Sequence, residues 1–177
     1  MNNIVKIPTP TNEPVRPYAP GTEETQMLKS KLQELKNTPV DIPMYIGGEH
    51  VFTEQKVTMH PPHETSHTLG TYNKGGAEHV EKAIESALAA KENWSTMPWE
   101  ARAAIFLKAA DLLAGPYRDR MNAATMLAQS KNAMQAEIDA ACEMIDFFKF
   151  NVQYMSEIYA QQPPENSPGV WNQLEYR

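Results

Sequence analysis

Cysteine is nearly absent: Cys142 stands alone in a chain of 177 residues. One thiol excludes an internal disulfide framework and any multi-cysteine zinc site within the chain, and it makes a reducing compartment the default. Clustered positive charge is missing as well. Lys and Arg number 16 against 22 Asp and Glu, for a net charge of -6, and the basic residues are scattered, which argues against a nucleic-acid partner. No window approaches the roughly 18 consecutive apolar residues of a membrane span, so no membrane partner is expected. The opening MNNIVKIPTP has neither a charged-then-apolar signal nor an Arg-rich amphipathic presequence, and the expectation is a cytoplasmic protein. Glycine is sparse, and Gly47-Gly48, Gly70 and Gly75-Gly76 form neither GxGxxG nor a P-loop, so no phosphate cradle is recognisable.

What is present suffices for one domain of ordinary size. Residues 1–20 hold five prolines (Pro8, Pro10, Pro14, Pro17, Pro20), each removing a backbone donor and biasing its predecessor to extended conformations. That stretch reads as an extended arm. From Thr22 to Asn37 a capping threonine, early acids, late lysines and Leu28, Leu32 and Leu35 on one face predict a short amphipathic helix. Between Val40 and Tyr72 the chain reads as strands: Met44–Ile46, a Gly47-Gly48 hairpin turn, Val51-Phe52, Val57–Met59 and Leu69–Tyr72.

Helical spacing then takes over. Residues 77–94 place Val80, Ile84, Ala87 and Leu88 on one face; residues 98–114 do the same with Ile105, Ala109, Leu112 and Leu113, before Gly115-Pro116 stops the helix. A third helix is predicted from Tyr117 to about Gln129, and a fourth from about Ala133 to Ala160. In the fourth, Met134, Ile138, Ala141, Ile145, Phe148, Val152, Met155 and Tyr159 form one apolar stripe. Phe147, Phe150 and Tyr154 lie on another side, so the helix is expected to be buried between layers. After Gln162 a loop, PPENSPGV, leads to WNQLEYR, which reads as a strand just begun. A last strand with nothing after it suggests that the chain is part of a longer protein.

Three groups of residues invite a functional reading. His60, His63 and His67 form a candidate metal cluster, but carboxylate or Cys support extends only to Glu64 and the prolines stiffen the loop; a solvated loop is the preferred reading and no metal site is expected. Cys142 lies in mid-helix, away from the free backbone donors that activate a thiol, and reads as a small buried hydrophobe. Asp139, Glu143 and Asp146 share one side of the fourth helix, either as a solvated acidic face helped by Lys149 or as something more. Glu143 stands out because Phe147 and Phe150 follow it one and two turns on. A carboxylate bordering aromatic surface must find a partner or shift its pKa, and a ligand cation is one candidate.

The runs AIESALAAKENW (Ala83–Trp94), ARAAIFLKAADLLAGPYR (Ala101–Arg118) and QAEIDAACEMIDFFKFN (Gln135–Asn151) resemble the N-terminal part of the aldehyde dehydrogenase superfamily, and more narrowly its 1-pyrroline-5-carboxylate dehydrogenase branch. The resemblance extends from NEPV (Asn12–Val15) to the closing LEYR. It implies an α/β protein when complete, of which these residues supply a mainly helical first portion: an arm (1–20), a helical and hairpin part of the cofactor domain (21–162), and a loop with the start of a strand (163–177). It further implies oxidation of L-glutamate gamma-semialdehyde to glutamate with NAD in proline breakdown, through a cysteine thiolate and a glutamate-activated water, by a homo-oligomer. The nucleophile, the general base and the NAD site would lie beyond Arg177, so no catalytic or cofactor residue is expected here and the portion alone is expected to be inactive. One role carries over by the resemblance. CEMIDFF places Glu143 where the branch lines its substrate pocket near the amino group of the semialdehyde. The rivals are a stand-alone helical interaction module and, less favoured, a small metal protein built on the three histidines.

Overall fold

A computed structural model describes residues 6–176; the first five residues of the arm and Arg177, the last residue of LEYR, lie outside the described residues. From Lys6 to Ala19 the arm takes no regular structure, as its prolines dictate. Helix α1 (Glu23–Asn37) follows and buries Leu28. Its N-terminus differs in one detail from expectation. The Thr22 hydroxyl donates backwards to the Ala19 carbonyl at 2.9 Å and leaves the first helical N–H groups uncapped by a side chain.

Five short strands come next: β1 (Val40–Ile42), β2 (Met44–Ile46), β3 (Glu49–Val51), β4 (Lys56–Met59) and β5 (Gly70–Asn73). Strands β2 and β3 form the expected hairpin, and Gly47 and Gly48 turn it at φ of 62° and 86°, a region closed to most side chains. Strand β1 was not legible as a separate element, because Pro39 and Pro43 confine it to three residues. It pairs parallel with β5, which pairs antiparallel with β4, giving the order β1-β5-β4. The register puts Val40, Ile42, Tyr72, Val57 and Met59 on one face and Asp41, Thr71, Asn73 and Lys56 on the other. On the polar face Asp41 accepts from Thr71 and Asn73, both at 2.9 Å, and pairs with Lys56, which holds its carboxyl below the usual range.

The helical part is α2 (Ala77–Thr96), α3 (Trp99–Ala114), α4 (Arg118–Gln129), α5 (Ala133–Ala136), a π-helical segment (Glu137–Cys142) and α6 (Glu143–Ala160). Asn132 opens α5 with a reciprocal cap, accepting from the Gln135 N–H and donating its own to the Gln135 side chain. The core lies where α3 meets the π segment and α6: Ala110, Leu113, Ala141 and Ile145, with Ala114, Met121 and Phe148 against them. Alanines at the crossing let the helices approach closely.

Two expected apolar faces, those of α3 and of the last helix, are corrected, while the apolar face of α2 is present and uncovered. On α3 the buried residues are Ala103, Ala110 and Leu113, while Ile105 and Leu112 are exposed. The helix is apolar on nearly every side, so spacing alone does not select the face. No residue of α2 is buried, and Val80, Ile84 and Leu88 are exposed by 60%, 54% and 63%. With the hairpin's Met44 and Ile46, Val80 and Ile84 instead line an open groove of about 490 Å³ that no described element fills. On the last helix the stripe is broken. Met134 and Ile138 are exposed, whereas Ala136, Glu137, Ala141, Cys142, Ile145 and Val152 are buried. The π-turn contributes to this: its extra residue advances the inner face by five positions between Ala136 and Ala141, so that Ala136 and Glu137 both lie inside and Ile138, three before Ala141, is turned out. The second aromatic side is also not sandwiched, since Phe147 is 58% and Tyr154 51% exposed.

The C-terminal segment forms no strand among the described residues. The Gln162 side chain takes the place of a strand neighbour, accepting from the Leu174 N–H at 2.9 Å and donating to the Leu174 carbonyl at 3.2 Å. Tyr176 stacks on Tyr159 with ring centroids 5.2 Å apart.

Candidate functional site

The three carboxylates of the last helix have three different settings. Asp139 pairs with Lys131 at 2.7 Å. Asp146 accepts from the Asn12 side chain at 2.8 Å and from the Glu13 N–H at 2.7 Å, so it holds the arm. Lys149, expected to serve Asp146, pairs with Glu13 at 2.8 Å instead. Of the three, only Glu143 has a carboxylate that is exposed with no hydrogen bond or ion pair to any described residue. Its N–H donates to the Ile138 carbonyl, five residues back, so Glu143 is the residue at which the π-turn closes. No described residue partners the carboxylate, which is presented to solvent on the same side as Phe147, one turn on. Phe147 borders a cleft of about 290 Å³ lined also by Phe106, Phe148 and Met155.

Behind that surface lies an ionic cluster that sequence reasoning missed. Glu137 is fully buried, and Arg118 nearly so. One Glu137 oxygen accepts from the Arg16 N–H at 2.8 Å and from Arg118; the other accepts from Tyr18 Oη at 2.9 Å, Asn122 Nδ2 at 2.7 Å and Arg118 Nε at 3.3 Å. Arg118 also donates to Glu13 at 2.6 Å and to the Pro14 carbonyl at 2.7 Å. Burial by itself would raise the Glu137 carboxyl, but the donors outweigh it and hold it down at about 2. Burial also opposes the charge on Arg118, and Glu137 beside it more than restores it, moving its pKa upward. Tyr18 is pushed up to about 12, by burial first and then by Glu137. With both Glu137 oxygens supplied with donors, the cluster locks the arm to the helices and does not present a reactive group, although Asn122 Oδ1 is left as a buried acceptor without a partner.

Cys142 sits against this cluster, with Arg118 at 3.3 Å and Glu137 at 3.7 Å from its sulfur. Burial, then the nearby Glu137 charge, pushes the thiol up to about 11, which keeps it protonated and unreactive at neutral pH. The histidines are each spent on the local fold. His60 Nδ1 bonds the His67 carbonyl at 2.7 Å, His63 Nδ1 bonds Ser130 Oγ at 2.8 Å, and His67 Nε2 bonds the Lys36 carbonyl at 2.8 Å. They tie the loop to α1 and to the end of α4, and among the described residues no group of His, Cys, Asp or Glu has metal-binding geometry.

The described residues do not fit a dinucleotide either. Gly47 and Gly48 are used by the hairpin turn, and at the start of α2 the Gly76 N–H donates to His79 Nδ1, with the Glu78 carboxylate against Gly76. An acid at that helix start repels a phosphate. No helix among the described residues is long and apolar enough to cross a membrane.

Known proteins place this arrangement. The chain is 52% identical over 173 residues to a delta-1-pyrroline-5-carboxylate dehydrogenase of Agaricus bisporus, which covers 97% of this chain and 32% of that protein. It is 42% identical over 166 residues to the human mitochondrial delta-1-pyrroline-5-carboxylate dehydrogenase, covering 94% of this chain and 29% of the relative. The crystal structure of the Mycobacterium tuberculosis delta-pyrroline-5-carboxylate dehydrogenase bound with NAD superposes with a TM-score of 0.96 at 45% identity, over all of this chain and 33% of that one. The chain thus spans about a third of the length of the relatives it matches. Residues 51–177 match the aldehyde dehydrogenase family, and with the aldehyde dehydrogenase-like fold this shows that the chain belongs to that family.

Proposed function

We propose that these residues are the N-terminal portion of an L-glutamate gamma-semialdehyde (1-pyrroline-5-carboxylate) dehydrogenase, which oxidises the semialdehyde to L-glutamate in proline catabolism. The observation that carries the reading is the match, at 52% identity over 97% of this chain, to a relative of that name. NAD would take up the hydride and would be held by residues outside this portion, since none here suits a dinucleotide. The complete enzyme would act as a homo-oligomer, in a reducing compartment: the cytoplasm on the sequence reading, the mitochondrion if it follows relatives whose names say so. The 177 residues alone would be inactive. They divide, in this reading, into arm (1–20), helical and hairpin part of the cofactor domain (21–162) and connecting segment (163–177).

Glu143 is the substrate-binding residue of this reading. An exposed carboxylate with no partner among the described residues, next to an exposed aromatic ring, suits the ammonium group of an amino-acid aldehyde. In the full-length enzyme Glu143→Gln should raise KM for the semialdehyde about tenfold, the loss of one charge-assisted contact of ~1.5–3 kcal/mol. An unchanged KM would remove Glu143 from the site. The exposed face of α2 is what a stand-alone helical interaction module would also display, and the intact mass of the protein from its native locus separates the two readings: 19.9 kDa favours the module and a much larger mass favours the dehydrogenase.

A further inference from the structure

The arm crosses the last helix on both sides of Glu143. Before it, Glu137 in the π segment is held by the Arg16 N–H and Tyr18 Oη, and through Arg118 by Glu13 and Pro14. After it, Asp146 is held by Asn12 and the Glu13 N–H, and Lys149 by the Glu13 carboxylate. Between these ties the Glu143 N–H closes the π-turn on Ile138. A π-turn carries one residue more than an α-turn and is the less favourable form in isolation. Annealed to α-helix, it would turn the residues before it relative to those after it by about 100° and shift them by about 1.5 Å. A charge contact does not tolerate such a change. An extended, proline-stiffened strap bonded at both ends of the turn opposes that rotation, because either sense of twist breaks one of the two sets of bonds.

We infer that arm residues 12–18 are a splint that sets the rotation of Glu143 about the helix axis, with Asp146 and Glu137 as positioning residues, and that the splint governs how strongly the enzyme prefers an aldehyde carrying an ammonium group. The inference rests on the reading of Glu143 as the ammonium contact. It adds to that reading a segment more than 120 residues distant in sequence.

The test uses the full-length enzyme and two substrates, the semialdehyde and the same five-carbon aldehyde acid without its amino group. The readout is the ratio of their kcat/KM values. Glu143→Gln lowers the ratio about tenfold. Asp146→Ala, at a half-buried position, lowers it about threefold or more through KM of the amino substrate, with kcat for the deaminated aldehyde unchanged. Asp146→Asn, which keeps an acceptor for the Glu13 N–H, retains most of the preference. In the double variant Glu143→Gln/Asp146→Ala the ratio falls no further than in Glu143→Gln, the non-additivity of two residues acting through one contact. Asn12→Ala/Lys149→Ala carries the same expectation if Asp146→Ala does not fold. A ratio untouched by the arm variants but lowered by Glu143→Gln overturns the splint and leaves the Glu143 reading standing. A ratio untouched by Glu143→Gln overturns both.

Discussion

Replacing Arg118 by methionine is the severest single test of the buried cluster. The Arg118 side chain is 3% exposed and that of Glu137 is 0%. Methionine fills much of the volume but leaves Glu137 with only the neutral donors of Arg16, Tyr18 and Asn122, and leaves Glu13 with Lys149 alone. Removing one partner of a buried ion pair costs ~3–5 kcal/mol, because the other charge stays buried without compensation. Arg118→Met/Glu137→Met, which removes both charges, should be less destabilised than the single variant. The pH dependence gives an independent check. Glu137 titrates at about 2 in the fold against an ordinary 4.5, so its stabilisation is complete above pH 4.5 and is lost as pH falls from there towards 2. At 1.36 kcal/mol per unit this amounts to ~3 kcal/mol at most. Urea unfolding of the full-length enzyme, followed by tryptophan fluorescence from pH 7 down to pH 3, measures both. A cost below ~1 kcal/mol for Arg118→Met, or an acid limb of the same size in the variant, would refute the reasoning.

Two further outcomes follow from local geometry. Cys142, with its thiol raised to about 11, should stay unlabelled by a maleimide in the native enzyme at pH 8 and label fully in urea, as read from its own peptide by mass spectrometry; rapid native labelling would show the site to be open. Gly70 sits at φ of +136° with the Val40 backbone where a Cβ would lie, so Gly70→Ala should part β1 from β5 and cost ~2 kcal/mol or more; a melting temperature equal to wild type would contradict the close strand approach.

Helix ends and the hairpin were legible in the sequence because their signals are local: Pro98 at the start of α3, Gly115-Pro116 after it, and Gly47-Gly48 at the turn. The buried faces were less so. On α2 the spacing did identify an apolar face, but no described element covers it. On α3 apolar residues surround the helix, and only packing against α6 selects Ala103, Ala110 and Leu113. The last helix hid its π-turn, and a preference for apolar residues hid Glu137. Counting back four from Ala141 along the buried stripe lands on Glu137, whereas counting back three gives the apolar Ile138, and the apolar choice looked natural. Two signals were available. A charge on an apolar stripe requires a buried partner, and Arg118 opens α4, where the helix dipole disfavours a cation. The arm's role was out of reach, since Glu13 and Arg118 lie 105 residues apart. Glu143 was singled out by its aromatic flank and by the resemblance together; the structure adds its exposure, the lack of a partner for its carboxylate among the described residues and its place at the close of the π-turn.

The most direct test of the account is semialdehyde-dependent reduction of NAD by the full-length protein, run beside the same assay on residues 1–177 alone. The account predicts turnover to glutamate by the full-length protein and none by the 177 residues. A full-length protein that leaves the semialdehyde unoxidised, or a 177-residue chain that oxidises it, would contradict the account.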